Sequence, residues 1–387
     1  RIFFEDPSLT SGDQIKRALF SIGWVPDQWN YKKDPKTKKF LYDDNRELIP
    51  TSPKLTESSL ESVTGDSHWG KDLVQLLKVQ ARKKFFVGGD YFEDEDGNGE
   101  VEKGLLSRIR PDNTIASEVV QCGTNTGRAQ HRGVANVPRP GSFLGTETRE
   151  LFIARPGKVL VGTDYSQLES RVAAEIIYRY TKFKSGIGDL RYADLILNSK
   201  DIHTYTLNSL NGLISSRNRA KTITYALMFG AQEKKLGSIC DLKPTKWTDV
   251  RAGEEVLNLL KESFPGLIEA RDATIEQAKG GWLPGLDGRK IFVRSPHSAF
   301  NAKVQGWGSQ IVKMGIILNN RKKEESGLNQ QQVSWVHDEW TSETNPQIAE
   351  DTRRIALESV VESGKIYDFT VDMAGDSKVG LSWGEIH

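Results

Sequence analysis

KVLVGTDYSQLESRVAAEII, at residues 158–177, decides the fold of this chain. Val159, Leu160 and Val161 make a short apolar run of the kind that forms a buried strand, and helical spacing begins near Ser166. Asp164 thereby falls at the carboxyl end of a strand, where ligands commonly approach a sheet. A second stretch, WVHDEW at residues 335–340, sets His337, Asp338 and Glu339 side by side in a strand-like context. Adjacent carboxylates repel and β structure disfavours Asp, so this stretch is either an exposed turn or the seat of a cation.

Working outward, 387 residues are enough for two or three domains with a proper core. The hydrophobic fraction of 37% and charged fraction of 27% exclude extended disorder, and no apolar run approaches the roughly 20 residues needed to span a bilayer. Two cysteines, Cys122 and Cys240, give neither a disulfide framework nor a four-ligand zinc site, and fit a reducing compartment. A cytoplasmic location is therefore expected. The formal charge of +1 does not by itself announce a nucleic-acid binder. KKDPKTKK at 32–39 and KVQARKKFF at 78–86 are local basic clusters, readable as solvated helix faces or as phosphate contacts. Met228, Met314 and Met373 are all internal, so the chain from Arg1 is expected to be part of something longer.

Residues 1–66 are rich in Lys, Asp, Pro and Ser, with an amphipathic piece around 13–20. Leu73, Leu76, Leu77 and Ala81 predict a helix over 67–84. In FEDEDGNGEVE, at 92–102, Asp94, Asp96, Asn98 and Gly99 imitate a calcium loop, yet the position that needs a bidentate Glu is Leu105. DGNG is better read as the turn of a hairpin. Further helices are predicted over 215–229 and 301–320. In the second, Val304, Trp307, Ile311, Met314 and Leu318 fall at core spacing.

In SRNRAKTITYALMFG, at 216–230, Arg217, Lys221, Tyr225 and Phe229 recur every four residues and lie along one helical stripe. No acidic residue lies between Arg217 and Phe229, so the face is expected to be reserved for an external anion. Arg offers a planar fork and Lys a point charge, which suits a polyphosphate, and the rings beyond can stack a base. Asp164 and Asp338 together could hold two divalent cations about 3.5–4 Å apart, the clamp for in-line attack at phosphorus. Magnesium is the natural ion, because few carboxylates plus phosphate oxygens complete its octahedron.

DYSQLESR (164–171), R-x-x-x-K-x-x-x-Y with its terminal FG (217–230) and VHDE (336–339) resemble, in order and spacing, motifs A, B and C of family A DNA polymerases. TGRAQHRGVANVP (126–138), DIHTYT (201–206), GLDGRKIFVRSPHSAFNAKVQ (285–305) and the terminal WGEIH look most like replicative polymerases of lytic phages. The resemblance runs from about residue 8 to the end.

It implies an α+β right-hand fold with an antiparallel-sheet palm (111–171 and 286–387), helical fingers (172–285) and a partial helical thumb with a connecting region (1–110). It implies template-directed addition of deoxynucleotides to a primer 3′ end. Asp164, Asp338 and the Tyr165 carbonyl would hold two Mg2+ ions, with Mn2+ able to substitute, and Glu339 would lie near them. Arg217, Lys221 and His203 would take the triphosphate, Lys221 protonating the departing pyrophosphate. Glu169 would be the steric gate against a 2′-hydroxyl, and Gln167, Tyr225 and Phe229 would complete the nucleotide site. Arg128, Arg171, Asn301, Gln305 and His337 would face the primer-template. Partners would be primer-template DNA, deoxynucleoside triphosphates and an upstream thumb or exonuclease segment or a processivity factor, with no membrane. The location would be host cytoplasm for a phage protein.

Two departures stand out. Phe229 replaces the family's usual Tyr, and Ala226 stands where Gly often follows the aromatic, which puts fidelity in doubt. The residues before Ser11 leave no room for an exonuclease, so that activity is not expected here. Rival readings are a single-subunit RNA polymerase, against which Glu169 argues, and a degenerate polymerase that only binds DNA.

Overall fold

The structure is a computed structural model that describes residues 8, 11–26, 28–35, 37, 39–43, 48–55, 68–93, 99–134, 136–198, 201–228 and 230–387. The chain divides into two compact units, Arg1–Ala116 and Ser117–His387.

In the first unit, Ser11 accepts from the Gln14 N–H and so caps the helix Gly12–Ser21, whose Ile15 and Leu19 are buried. They pack with Trp24 and with Leu73 of the helix His68–Val87. The predicted stripe thus holds in part: Leu73 is buried, Leu76 and Leu77 are half-buried, and Ala81 is exposed. Strands Gly88–Glu93 and Gly99–Lys103 pair antiparallel as expected around the rejected calcium loop, while Asp94 and Asp96 lie outside the described residues.

The second unit is built on a four-stranded antiparallel sheet, in the order Gln330–Val336, Glu339–Thr344, Val159–Tyr165, Gly375–Gly380. Val159–Tyr165 is central and carries the buried Leu160, Val161 and Tyr165. Helix Ala349–Lys365 packs on it, and helix Ala299–Ser326 packs on that helix. Tyr165 ties the layers together, its hydroxyl donating to the Ile311 carbonyl at 3.2 Å and lying 2.9 Å from Ser363 Oγ. In the long helix Val304, Trp307, Ile311 and Leu318 are buried as their spacing predicts, whereas Met314 is only half-buried.

After Tyr165 the chain turns through Gln167, in left-handed conformation, into the helix Leu168–Ser185. Its Glu175 is wholly buried and accepts from Arg179 at 2.7 Å and from the Thr370 and Val371 N–H groups at 2.9 and 3.0 Å. Burial of this carboxylate is tolerable because its oxygens are matched by donors. The helices Arg191–Asn198, Ile202–Ser209, Arg217–Met228, Glu233–Ile239, Asp249–Ser263 and Leu267–Gln277 follow. They share one continuous hydrophobic core with the sheet side, through Ile177, Leu210, Ile223, Leu236, Val256 and Leu260.

Helices Glu233–Ile239 and Asp249–Ser263 meet backbone to backbone. A Cβ on Gly253 would overlap the Glu233 carbonyl, and one on Gly237 would overlap the Asp249 carbonyl. Gly→Ala in a helix ordinarily gains up to about 1 kcal/mol. Gly253→Ala is expected to reverse that sign and destabilise by about 2–3 kcal/mol through overpacking, as urea unfolding would show.

Candidate active site

WVHDEW is a hairpin tip. Val336 pairs with Glu339, which leaves His337 and Asp338 as the two-residue turn. His337 has φ of 56°, the left-handed geometry that such turns demand. The turn is fastened from both sides: Trp335 Nε1 donates to the His337 carbonyl at 2.9 Å, and the His337 N–H donates to His131 Nε2 at 3.1 Å. His131 comes from the hairpin Glu118–Val120/Gln130–Arg132, and its ring stands edge-on to those of Trp335 and His337.

The neighbouring strand brings Asp164 alongside. Asp164 sits opposite Glu339 in the ladder, and the Tyr165 N–H donates to the Asp338 carbonyl at 3.4 Å. Burial first, and then the charges of Asp338 and Glu339, push the Asp164 carboxyl up to about 7. More than a third of the Asp164 surface nonetheless remains open, so the group is recessed among protein atoms and still within reach of solvent. Glu339 is engaged elsewhere. It is buried, accepts from Trp383 Nε1 at 2.9 Å, and lies 3.0 Å from His387 Nδ1, so the terminal WGEIH closes over it.

A cleft of about 390 Å³ opens beside these carboxylates, lined by Tyr165, Gln167, Glu169 and Asp338 on one side and by His203, Arg217 and Tyr225 on the other. His203 and Tyr225 lie with ring centroids 6.0 Å apart. Burial, followed by the Arg217 charge and, against the opposing pull of Asp201, that of Lys221, holds the His203 imidazolium below its ordinary pKa. A smaller crevice holds Arg128, Glu169, Gln305, His337 and Asp338. There Arg128 Nη1 lies 3.8 Å from Glu169 Oε1. Burial, opposed by Arg128, raises the Glu169 pKa.

Residues 90–385 match the family described as DNA polymerase family A. The chain belongs to that family. It is 28% identical over 411 residues to the DNA-directed DNA polymerase of Enterobacteria phage T3, covering 98% of this chain and 52% of the phage protein, and equally so to that of Escherichia phage T7. To DNA polymerase I of Aquifex aeolicus it is 27% identical over 358 residues, or 90% of this chain and 56% of the relative. The chain thus spans about half the length of the phage relatives. In fold it is similar to the POL domain of Pol1 from M. smegmatis, a structure in complex with DNA primer-template and dNTP. The TM-score is 0.72 at 20% identity, with 99% of this chain and 62% of that one covered.

Among the family-motif residues, Asp164, Glu339, Arg171, Lys221 and Asn301 line neither cavity, though Asp164 directly precedes Tyr165 of the larger one, Lys221 is exposed on the same helix as Arg217 and Asn301 lies one turn before Gln305. Arg171 braces its own surroundings, donating to the carbonyls of Ser166 at 2.9 Å and Asp372 at 2.5 Å. Phe229 lies outside the described residues. The expectation that no acidic residue neutralises the Arg217 face is corrected: Asp201, from the preceding helix start, already pairs with Arg217 at 2.5 and 3.0 Å. No inspection of residues 217–229 could have found it. His131, Trp383 and His387 were likewise missed, since sequence spacing holds no signal for contacts that only the fold makes.

The donor set fits a hard divalent cation. Burial, and after it the neighbouring Asp338 and Glu339 charges, drives Asp164 toward protonation, an imbalance that a 2+ ion removes. Among the described residues no group of three or more His, Cys, Asp or Glu could hold a metal ion. Because the Asp164 pKa is raised from 3.8 to about 7 on folding, its contribution to stability is full below about 4 and is lost as pH rises through 7. Millimolar Mg2+ should therefore raise the thermal midpoint at pH 7.5 and leave it unchanged at pH 5, where Asp164 holds its proton. Calorimetry on the Asp164→Asn protein should show no Mg2+ effect at either pH.

Proposed function

We propose that the chain is a template-directed DNA polymerase module that adds deoxynucleotides to a primer 3′ end. The observation that carries the reading is one cleft that sets Asp338 and Tyr165, the residue after Asp164, against His203, Arg217 and Tyr225. Carboxylates on a sheet facing the Arg217 guanidinium on a helix suit a metal-bound triphosphate lying between them. Family membership and the printed descriptions of the phage relatives support the same reading. In the right-hand arrangement, the sheet and its helices (111–171 and 286–387) serve as palm, the helices of 172–285 as fingers and 1–110 as a partial thumb.

Asp164, Asp338 and the Tyr165 carbonyl would hold two Mg2+ ions, or Mn2+ in their place. When bound, these lower the pKa of the attacking 3′-hydroxyl and neutralise charge on the leaving pyrophosphate. Arg217 and His203 orient the phosphates, and Lys221 is the proton donor to pyrophosphate. Tyr225, 41% exposed at the cleft, stacks on the incoming base and sugar. Glu169, shared by both cavities and steadied by Arg128, occupies the space of a ribose 2′-hydroxyl. Gln305, Asn301, Arg128 and His337 test pair shape through minor-groove acceptors common to all correct pairs. Affinity for primer-template comes mostly from phosphate contacts, and an upstream thumb segment or processivity factor would extend them. Among the described residues no helix is long and apolar enough to cross a membrane.

Primer extension with Mg2+ tests this directly. Asp338→Asn should lower kcat by about a thousandfold, the scale of removing a group that acts only in the transition state. Retention of synthesis in Asp338→Asn, or preference for ribonucleotides in the unmodified chain, would overturn the reading. Glu169→Ala should raise ribonucleotide incorporation by about tenfold or more relative to deoxynucleotide incorporation.

A further inference from the structure

A carboxylate, Asp201, lines the cleft in which a triphosphate is proposed to bind. Its charge opposes that of the ligand, so its presence asks for a reason. Its oxygens accept from the His203 N–H at 3.1 Å, from Thr204 Oγ1 at 2.5 Å, and from Arg217 Nε and Nη2 at 2.5 and 3.0 Å. The first of these caps the helix Ile202–Ser209, which carries His203. The last two fix the guanidinium at the start of Arg217–Met228. One carboxylate therefore sets the position of both phosphate-facing groups, taking one through its backbone and the other through its side chain.

The geometry of the fork matters. Asp201 engages the Nε/Nη2 edge. Guanidinium has five N–H donors in a rigid plane, so three remain, including one on each terminal nitrogen. Those two form the end-on fork, which can grip a phosphate while the carboxylate stays in place. The Arg217 side chain is half exposed, with room for that second partner. An unheld arginine would give up rotamer freedom on binding, and a held one has already done so.

We infer that Asp201 is a positioning residue for nucleotide binding: it holds Arg217 with its outer edge toward the cleft and fixes the helix start that presents His203. The inference rests on the polymerase reading for the identity of the ligand, and on the geometry alone for anion binding. The opposing reading, in which Asp201 only repels or competes with the triphosphate, has the opposite sign.

Asp201→Asn separates them. Asn still accepts from the His203 N–H and is an equally good cap, so the helix start survives while the charge and half the fork are lost. Steady-state primer extension should show KM for a matched deoxynucleotide raised about fivefold with kcat within a factor of two, the scale of one lost charge-assisted contact. In an Arg217→Ala background the same substitution should raise KM no further, because the residue acts through Arg217. Calorimetric titration with inorganic tripolyphosphate and Mg2+, in the absence of DNA, should show a similar loss of affinity.

An unchanged or lowered KM in Asp201→Asn, or an additive effect in the double variant, overturns the inference and leaves the polymerase reading intact. Weakened tripolyphosphate binding in a chain that extends no primer sinks the polymerase reading and supports the inference. Failure of the unmodified chain to bind tripolyphosphate overturns the inference.

Discussion

Everything at the candidate site depends on holding two like charges together. Asp164 and Asp338 belong to segments far apart in sequence, and the ladder between Val159–Tyr165 and Glu339–Thr344 makes them neighbours. Left to relax, such a pair would separate or take up a proton, and the raised pKa of Asp164 records its burial first and that tension second. The chain cannot relax because the strand behind Asp164 is anchored, with Tyr165 buried and hydrogen-bonded across to two helices. Asp338 is equally constrained, on a two-residue turn whose geometry His131 and Trp335 both fix. The repulsion is thus maintained by packing, ready for a cation to neutralise.

The same economy recurs in the supports. Polar groups beside the site are each tied down by a partner from another part of the chain: Glu339 by Trp383 and His387, Glu175 by Arg179 and the 370–371 backbone, Arg217 by Asp201. In each case a charged or strongly polar side chain would otherwise wander through several rotamers. Fixing it beforehand moves an entropic cost from the moment of binding to folding, where the core offsets it.

Local features were legible in the sequence. The apolar run 159–161, the helical spacing around Leu73 and the stripe of Arg217, Lys221 and Tyr225 all depend on residues a few positions apart, and the structure puts strand and helices there. The strand end at Asp164 and the hairpin that carries Asp338 followed from the same reasoning, as did the hairpin at 88–103. What escaped was every contact that closes across the fold. Asp201 lies 16 residues before Arg217, and His131 lies 206 before His337; a helical wheel reports neither. The inference of an unneutralised cationic face failed for this reason, since it counted charges along one helix and the neutralising one came from another. Family motifs brought DIHTYT into view for its His, and Asp201 stood in plain sight as the cap residue of that helix.

A net charge of +1 conceals this organisation. The cleft carries three carboxylates, Glu169, Asp201 and Asp338, against the single guanidinium of Arg217, which Asp201 already pairs, although the chain as a whole is nearly neutral. A bare polyanion entering it would meet mostly like charge. The same anion carrying a divalent cation brings those carboxylates a counter-charge. Such a lining favours an anion that arrives with its own cation over a bare one by electrostatics alone, and it presents no large positive field that would hold polyanions indiscriminately.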